Sequence, residues 1–362
     1  MINIYTAREK AQDWVSRHRG KIPHLACVLG FTSTAMIPGI SAAGATPNDR
    51  LYTAVADAEF LFKGVCSDPI YPLPPLIAGI SPAFITRAVL EEFSIPLTIF
   101  NSGLPTPPPI PHIDLQGISA NCLSSGKALA LDMVEHLYQA GLDWGAKLAQ
   151  SLERDSYLIL GECVVGGTTT ALALLLGLGI EADGLVNSSH PQCNHQQKLQ
   201  IIKQGFSRAA LLNPTPLEVV AAVGDPMQVV VAGMAIAASS QVGVLLAGGT
   251  QMLAVYALIQ HLEHPITKLK NIVVGTTRWV AEDPTGDTVK LSKTIDPNLA
   301  LLACNLSFAD STYPSLRMYE QGYVKEGVAA GGLAIAANLL SNWQQDQLLA
   351  SIESLVKRSF IK

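Results

Sequence analysis

Short apolar runs alternate along the chain with longer segments in which apolar residues recur at helical spacing. The short runs have the length of strands, and they stand at 25–29, 76–78, 97–100, 157–160, 242–246 and 272–274. The longer segments have the length of helices, and they include 49–62, 168–177, 250–260 and 334–340. Strands that alternate with helices in this way predict an α/β fold, doubly wound around a mainly parallel sheet with helices on both faces.

Several helix starts carry capping residues. The four signals are Thr6–Glu9, Ser81–Pro82, Thr215–Glu218 and Asp225–Pro226. The first of them predicts an amphipathic helix over 7–19 that lies outside the main core. Gly141 is expected to end a helix over 125–139 and to separate it from a second helix over 144–152.

The segment 157–179 carries the most informative pattern of the chain. A buried strand, Tyr157–Leu160, leads into a glycine-rich bend, and Thr168, Thr169 and Thr170 then open an apolar helix. In this arrangement the free N–H groups of a helix start face a ligand at the carboxyl edge of the sheet, and glycines allow close approach of an anion. The bend matches neither a dinucleotide fingerprint nor a P-loop. Tight packing alone would also explain the glycines, but a carboxylate at position 162 favours a binding role.

The same device recurs further along the chain. The strand predicted at 242–246 is followed by Gly248, Gly249 and Thr250, which open another apolar helix. The two turns are expected at the same edge of the sheet, where the active sites of such folds lie.

Composition narrows the classes of function. Only 15% of the 362 residues are charged while 49% are apolar, which favours an oligomer, and the length allows one large domain or two smaller ones. The net charge of -5 argues against nucleic acid and anionic membranes as partners. Residues 226–262 carry no formal charge, but polar interruptions make a buried helix, strand and helix the better interpretation than a membrane span. Six scattered cysteines and a polar N-terminal segment predict reduced thiols and a cytoplasmic protein.

Three rival patterns are weaker. His190, Cys193 and His195 stand close together, but no matching cluster completes a zinc site elsewhere in the chain, so we expect neither a metal nor a cofactor. The segment 280–286 faintly resembles the acidic-then-Thr-Gly loop of enzymes that use phosphoribosyl pyrophosphate, and it is also an ordinary turn. The proline-rich segment 104–111 is expected to be a stiff connector rather than a docking site.

A late glutamate stands in unusual surroundings. Glu326 is followed by Gly327 and then by a run of small residues before the apolar helix. A glutamate before a helix is commonly a favourable partner of the helix dipole. Small neighbours also leave room for a ligand, so both interpretations stay open.

Together these motifs resemble a known family. Gly161–Glu162 with Thr168–Thr170, and the later Lys325–Ala330, resemble the two glutamate motifs of nicotinate-nucleotide–dimethylbenzimidazole phosphoribosyltransferases. Further segments match a divergent branch of uncharacterised relatives of that family, and they are 37–44, 79–82, 85–87 and 246–251. The resemblance covers nearly the whole chain.

The resemblance implies a fold and a reaction. Members of the family transfer ribose 5-phosphate from nicotinate mononucleotide to a nitrogen of a benzimidazole, which makes the lower ligand of cobalamin. It implies a homodimer whose subunit has an α/β core at 23–335 and a small helical lobe from 1–22 with 336–362. The implied partners are small molecules, the nucleotide and an aromatic base.

The resemblance also implies roles for individual residues. Glu326 would be the general base, Lys198 would reach the phosphate, and Ser81 and Arg87 would flank the base. The residues implied to bind the nucleotide are Glu162, Gly166, Gly167, Thr168 and Thr169. The glycine loop and Arg87 depart from the family pattern, so the acceptor could be a benzimidazole-like base or a purine. The alternative function is a non-catalytic protein that binds a nucleotide or a corrinoid precursor on the same fold.

Overall fold

The computed structural model describes residues 1–44, 46–73 and 79–360, and the strand expected at 76–78 lies outside them. The strands are β1 (Ile2–Ile4), β2 (His24–Leu29), β3 (Leu97–Asn101), β4 (Ile113–Asp114), β5 (Tyr157–Cys163), β6 (Gly243–Ala247), β7 (Ile272–Thr277) and β8 (Leu301–Cys304). The helices are α1 (Arg8–His18), α2 (Arg50–Lys63), α3 (Ala83–Phe93), α4 (Leu131–Ser151), α5 (Gly167–Gly177), α6 (His195–Ala209), α7 (Pro216–Val223), α8 (Pro226–Ser239), α9 (Thr250–His261), α10 (Arg278–Ala281), α11 (Thr288–Ile295), α12 (Pro314–Arg317), α13 (Ala330–Ser341) and α14 (Gln345–Phe360).

The strands form one sheet in the order β1-β8-β7-β6-β5-β2-β3-β4. Every neighbouring pair is parallel except β1 with β8. The chain proceeds outward from β2 through β3 to β4, and then β5 pairs with the other side of β2. This reversal opens a crevice at the carboxyl ends of β2 and β5, where ligands bind in doubly wound folds. The predicted fold class is confirmed.

Helices cover both faces of the sheet. Strand β5 is buried on both sides, so that Leu158 and Leu160 pack with α5, α8 and α9 while Tyr157 and Ile159 pack with α3 and α13. A strand buried on both faces reads as a continuous apolar run rather than as an alternation. The glycine turn that follows β5 is thereby held by a strand that is buried along its whole length.

The N-terminal helix differs from the prediction in two ways. Thr6 makes no capping box, since its hydroxyl donates to Leu299 O at 2.6 Å and accepts from Leu301 N at 2.9 Å. Pairing of β1 with β8 brings Thr6 beside the edge of the sheet, where these backbone groups compete for its hydroxyl. The helix is also docked on the core, because Trp14 is buried and its indole N–H donates to Asn271 O at 3.0 Å.

Gly141 does not end a helix. It lies inside the continuous helix α4, where a Cβ atom at Gly141 would stand 2.4 Å from Val230 O in α8. At Gly145 the corresponding distance to Met234 O is 2.3 Å. These glycines therefore allow close packing of two helix backbones, which local sequence does not distinguish from a stop signal.

The terminal segments take part in the same architecture. Strand β1 pairs with β8, and α14 packs against α3. The division into a core at 23–335 and a lobe from both termini stays a prediction. The apolar segment before Glu263 forms α8, β6 and α9, all of which are buried. Within the described residues, no helix combines the length and the apolar character needed to cross a membrane.

Candidate functional site

A cavity that is open to solvent lies beyond the carboxyl ends of β5, β6 and β7. Six residues predicted from the sequence line it, and they are Ser81, Glu162, Gly166, Gly167, Thr168 and Glu326. Other polar residues of the lining were given no individual role by the sequence analysis, and they are Ser41, Thr53, Asp57, Asn187, Ser188, Ser189, Thr250, Gln251 and Lys325. The two glutamate motifs, more than 160 residues apart in the chain, thus meet at one site.

The turn after β5 depends on its glycines. The strand continues through Cys163, so Glu162 lies on the strand itself, and α5 begins at Gly167. Gly166 has a φ of 81°, which favours glycine, and a Cβ at Gly167 would stand 1.8 Å from Gln251 Oε1. Thr168 faces the cavity, whereas Thr169 is fully buried and is not part of the lining.

The second Gly-Gly-Thr turn faces the same cavity. Gly249, Thr250 and Gln251 line it at the start of α9. Thr250 is buried, and its hydroxyl has no hydrogen-bond partner within the described part of the chain. Two helix N-termini that converge on one cavity favour an anionic ligand.

Glu162 carries a strongly perturbed carboxyl group. Burial, and to a smaller extent the negative charges of Asp225 and Glu326, raise its pKa to about 8, although a hydrogen bond from Val164 N–H at 3.0 Å acts in the opposite direction. At neutral pH the group is therefore mainly protonated, and it can donate a hydrogen bond to a ligand.

Glu326 is held by four donors. Its Oε2 atom accepts from Thr276 Oγ1 at 3.0 Å and from Thr277 N at 2.8 Å. Its Oε1 atom accepts from Gly331 N at 3.0 Å and from Gly327 N at 3.3 Å. Burial nevertheless raises its pKa to about 7, against these hydrogen bonds. The group is thus both a cap at the start of α13 and a carboxyl poised to exchange a proton near neutral pH.

The segment that carries Glu326 has a strained backbone. Val324, Lys325, Val328 and Ala329 have φ values of 65°, 70°, 45° and 68°, a region that β-branched and other non-glycine residues seldom adopt. Lys325 anchors the segment through an ion pair with Asp283 at 2.5 Å. Such strain persists only where the surroundings enforce it, and it is concentrated at functional sites.

Lys198 lies behind the lining rather than in it. Its side chain is fully buried, and its ammonium donates to Asn187 O at 2.5 Å. Burial lowers its pKa to about 8. Asn187, Ser188 and Ser189 line the cavity, so Lys198 supports this loop. Its predicted contact with a phosphate stays a prediction.

The two residues expected at the base pocket are separated in the structure. Ser81 lines the cavity and donates to Asp57 Oδ1 at 2.7 Å. Arg87 does not line it, because its guanidinium donates to Leu61 O at 2.9 Å and pairs with Glu91 at 3.4 Å. Helix α3 places Arg87 two turns beyond Ser81, where it faces the end of α2. We therefore do not assign Arg87 to the base pocket.

The two histidines of the His190–His195 cluster form hydrogen bonds with backbone carbonyl groups. His190 Nε2 bonds Gly39 O at 3.0 Å and His195 Nε2 bonds Thr285 O at 2.6 Å. In the described ranges no three His, Cys, Asp or Glu side chains are grouped in a way that could hold a metal ion. All six cysteines are free thiols.

Sequence reasoning gave no role in the site to Asp57 or Lys325, and it expected the start of α9 at the active-site edge of the sheet without assigning its residues to a ligand. Lys325 was visible next to Glu326, and the second Gly-Gly-Thr turn was visible as a repeat. Asp57 is a single acid in the apolar stretch 54–58, where a charge needs a reason. Local sequence does not reveal that these positions face one cavity.

Comparison with known proteins identifies a family model and several relatives that match this chain. The family model described as Phosphoribosyltransferase (DBI_PRT) matches residues 94–269. The chain is 62% identical to a UPF0284 protein of Rippkaea orientalis over 98% of both chains. It is 59% identical to a UPF0284 protein of Synechocystis, covering 99% of this chain and 97% of that one.

Two solved structures share the fold. One is CobT from Thermus thermophilus, with a TM-score of 0.59 at 16% identity, covering 96% of this chain and 90% of that chain. The other is the nicotinate-nucleotide-dimethylbenzimidazole phosphoribosyltransferase of the same organism, with a TM-score of 0.56 at 18% identity, covering 95% and 97%. The chain therefore belongs to the family of UPF0284 proteins, and its residues 94–269 match a phosphoribosyltransferase family model.

Proposed function

We propose that this protein transfers ribose 5-phosphate from nicotinate mononucleotide to a ring nitrogen of a benzimidazole-like or purine base, in the synthesis of the lower ligand of cobalamin. The match of residues 94–269 to a phosphoribosyltransferase family model supports the general reaction. The observation that carries the proposal is that one cavity combines a Gly-Gly-Thr helix start with the carboxyl group of Glu326. The helix start is suited to binding a phosphate, and the carboxyl group is suited to accepting a proton.

The nucleotide would occupy the side of the cavity formed by the start of α5. Backbone N–H groups at a helix start and the Thr168 hydroxyl are suitable phosphate donors. Ser188 and Ser189 add hydroxyls across the cavity, and Ser189 is itself fixed by accepting a hydrogen bond from Ala42 N at 2.9 Å. Lys198 would act on this region by holding Asn187 and by contributing positive charge behind the loop.

The reaction needs one base and no acid. A lone pair on the acceptor nitrogen attacks the anomeric carbon of the ribose, and the bond from that carbon to the pyridinium nitrogen breaks. The bonding electron pair neutralises the pyridinium, so nicotinate leaves without protonation. The other nitrogen of the acceptor ring loses its proton, and Glu326 receives it.

Glu326 must free a lone pair to accept that proton. A carboxylate has about four acceptor positions, and four donors occupy them in this structure. Three of the donors are backbone N–H groups, but the Thr276 hydroxyl can rotate and accept instead of donate. Thr276 would therefore permit proton uptake without movement of the backbone.

The same four hydrogen bonds support a second candidate function. If Glu326 only caps α13, the protein would bind a nucleotide or a corrinoid precursor without turnover. Incubation with nicotinate mononucleotide and a panel of aromatic bases separates the two. Release of nicotinate only when an acceptor base is present supports the transferase. Tight nucleotide binding without nicotinate release for any base supports the binding protein.

A further inference from the structure

Asp57 is a buried carboxyl group for which the protein supplies few partners. It lies on the inner face of α2, where its side chain is 6% exposed and lines the cavity. Oδ1 accepts a hydrogen bond from Ser81 Oγ at 2.7 Å, and Oδ2 accepts from Cys163 Sγ at 3.5 Å. A thiol is a weak donor, and none of the ion pairs among the described residues includes Asp57.

The position of Asp57 associates it with the Glu326 side of the cavity. Ser81 and Pro82 precede α3, and Gly327 approaches them so closely that a Cβ on Gly327 would stand 3.1 Å from Pro82 Cγ. Thr86 donates to Val328 O at 2.7 Å and fixes the same contact. Asp57 and Ser81 thus adjoin the segment that carries Glu326, and the Cys163 thiol also connects Asp57 to the end of β5.

Burial of a carboxyl group is unfavourable unless hydrogen-bond donors compensate for the lost water. One acceptor position of Asp57 has a strong donor and one has a weak donor, and no further hydrogen bond to its carboxyl group is found among the described residues. A ligand that brings an N–H or O–H group to Oδ2 would complete the set. A purely alkylated ring edge would leave this oxygen without water and with the weak Cys163 thiol as its donor.

We propose, on the basis of the function proposed above, that Asp57 and Ser81 determine the acceptor base and select an aromatic nitrogen base that carries an exocyclic amino group. The amino N–H donates to Asp57 Oδ2, while the opposite edge of the ring presents its acidic N–H towards Glu326. The preferred acceptor is therefore an amino-substituted base rather than a dimethylated one.

The test compares bases that differ only in an amino and a methyl group of similar size. Suitable pairs are adenine with 6-methylpurine, and 5-aminobenzimidazole with 5-methylbenzimidazole. Equilibrium binding of each base to the full-length protein is measured by calorimetry, which requires no turnover. Wild-type protein is expected to bind the amino member of at least one pair about tenfold or more tightly, as expected where a site is built around a donor on the ligand.

Two variants of Asp57 test whether this residue causes the preference for amino-substituted bases. Asp57→Leu removes both oxygens, and Asp57→Asn keeps the shape but turns an NH₂ group towards the ligand. Both are expected to reduce the amino preference to about one or to reverse it. Glu59→Gln is the matched control, because Glu59 is a buried carboxyl on the same helix that bonds Lys63 and the backbone of Ile70 and Tyr71 instead. It should leave the preference unchanged.

The outcomes distinguish this proposal from the proposed function. An equal affinity for the amino and methyl members in wild type, or an unchanged preference in both Asp57 variants, overturns the assignment of Asp57. A uniform loss for all bases, matched by Ser81→Ala, also overturns it, because Asp57 would then only orient Ser81. An amino preference that depends on Asp57 but is accompanied by no nicotinate release supports the base site and contradicts the transferase.

Discussion

At the scale of single residues, the carboxyl groups of the cavity are unusual because burial opposes their ionisation. Glu162 and Glu326 could be found from the sequence, since each belongs to a motif of small residues in which a carboxylate has no packing role. Asp57 and Lys325 could not be assigned, because their roles depend on contacts with Ser81, Cys163 and Asp283 that lie far away in the chain. Local patterns identify chemistry, but they do not identify the partners that tune it.

The first prediction concerns proton transfer. Glu326→Gln preserves the shape of the side chain and removes its basicity, so turnover should fall by about 10²–10⁴-fold, the usual contribution of a general base. Nucleotide affinity, measured by calorimetry, should persist. The wild-type rate should rise with pH through about 7, as Glu326 loses its proton, and the variant should lack this rise. A folded variant with wild-type turnover would falsify the catalytic role.

The second prediction concerns stability and pH. Burial raises the pKa of Glu162 from 4.5 to about 8, so at pH 6.5–7.5 the folded state holds a proton that the unfolded state has released. The free energy of unfolding should therefore fall as pH rises across this window, by at most about 1.4 kcal/mol per pH unit for this group.

Urea unfolding at pH 6.5 and 7.5 measures this dependence. Glu162→Gln has no carboxyl proton to release, so its unfolding free energy should vary less with pH than that of the wild type. Identical pH dependence of the two proteins would contradict the raised pKa.

At the scale of elements, the strand-to-helix turns could be predicted, while the packing of the helices could not. The periodicity of the chain identifies β5, α5, β6 and α9, and it identifies the glycines between them as ligand-binding turns. The short strands β1, β4 and β8 escaped prediction because runs of two to four residues carry little periodic signal. The prediction that Gly141 ends a helix was wrong, because a glycine that ends a helix and a glycine that allows close packing of a neighbouring helix cannot be distinguished from the sequence.

The third prediction distinguishes these two roles of Gly141. In an exposed helix interior, Gly→Ala stabilises by roughly 1 kcal/mol. In α4 the new Cβ would stand 2.4 Å from Val230 O, so Gly141→Ala should instead destabilise the protein by about 1–3 kcal/mol through overpacking against α8. Denaturant unfolding measures the sign. Unchanged or increased stability would show that α4 and α8 are not in close contact.

At the scale of the whole molecule, the alternation of strands and helices was sufficient to predict the doubly wound sheet. The reversal of strand order between β2 and β5 then places the site at the carboxyl ends of the central strands. The alternation does not predict the pairing of β1 with β8, nor does it predict that α1 packs on the core through Trp14. Both join segments about 260–300 residues apart, and a local pattern contains no information on such contacts.

The fourth prediction concerns assembly. Charged residues make up only 15% of the chain, which is low for the surface of a monomer. We propose that two copies form a homodimer that buries part of the exposed apolar surface. Sedimentation at micromolar concentration should give twice the mass of the 38.4 kDa chain. A monomer under these conditions would count against the proposal.

The proposed transfer of ribose 5-phosphate is tested by measuring both of its products in the same incubation. Wild-type protein is incubated with nicotinate mononucleotide and an acceptor base, and mass spectrometry quantifies nicotinate and the ribotide of the base. If the protein is the proposed transferase, one nicotinate is released for each base ribotide formed, neither product appears when the base is omitted, and Glu326→Gln lowers the rate by about 10²–10⁴-fold. Nicotinate release that does not depend on any base, or the absence of ribotide with every base, would contradict it.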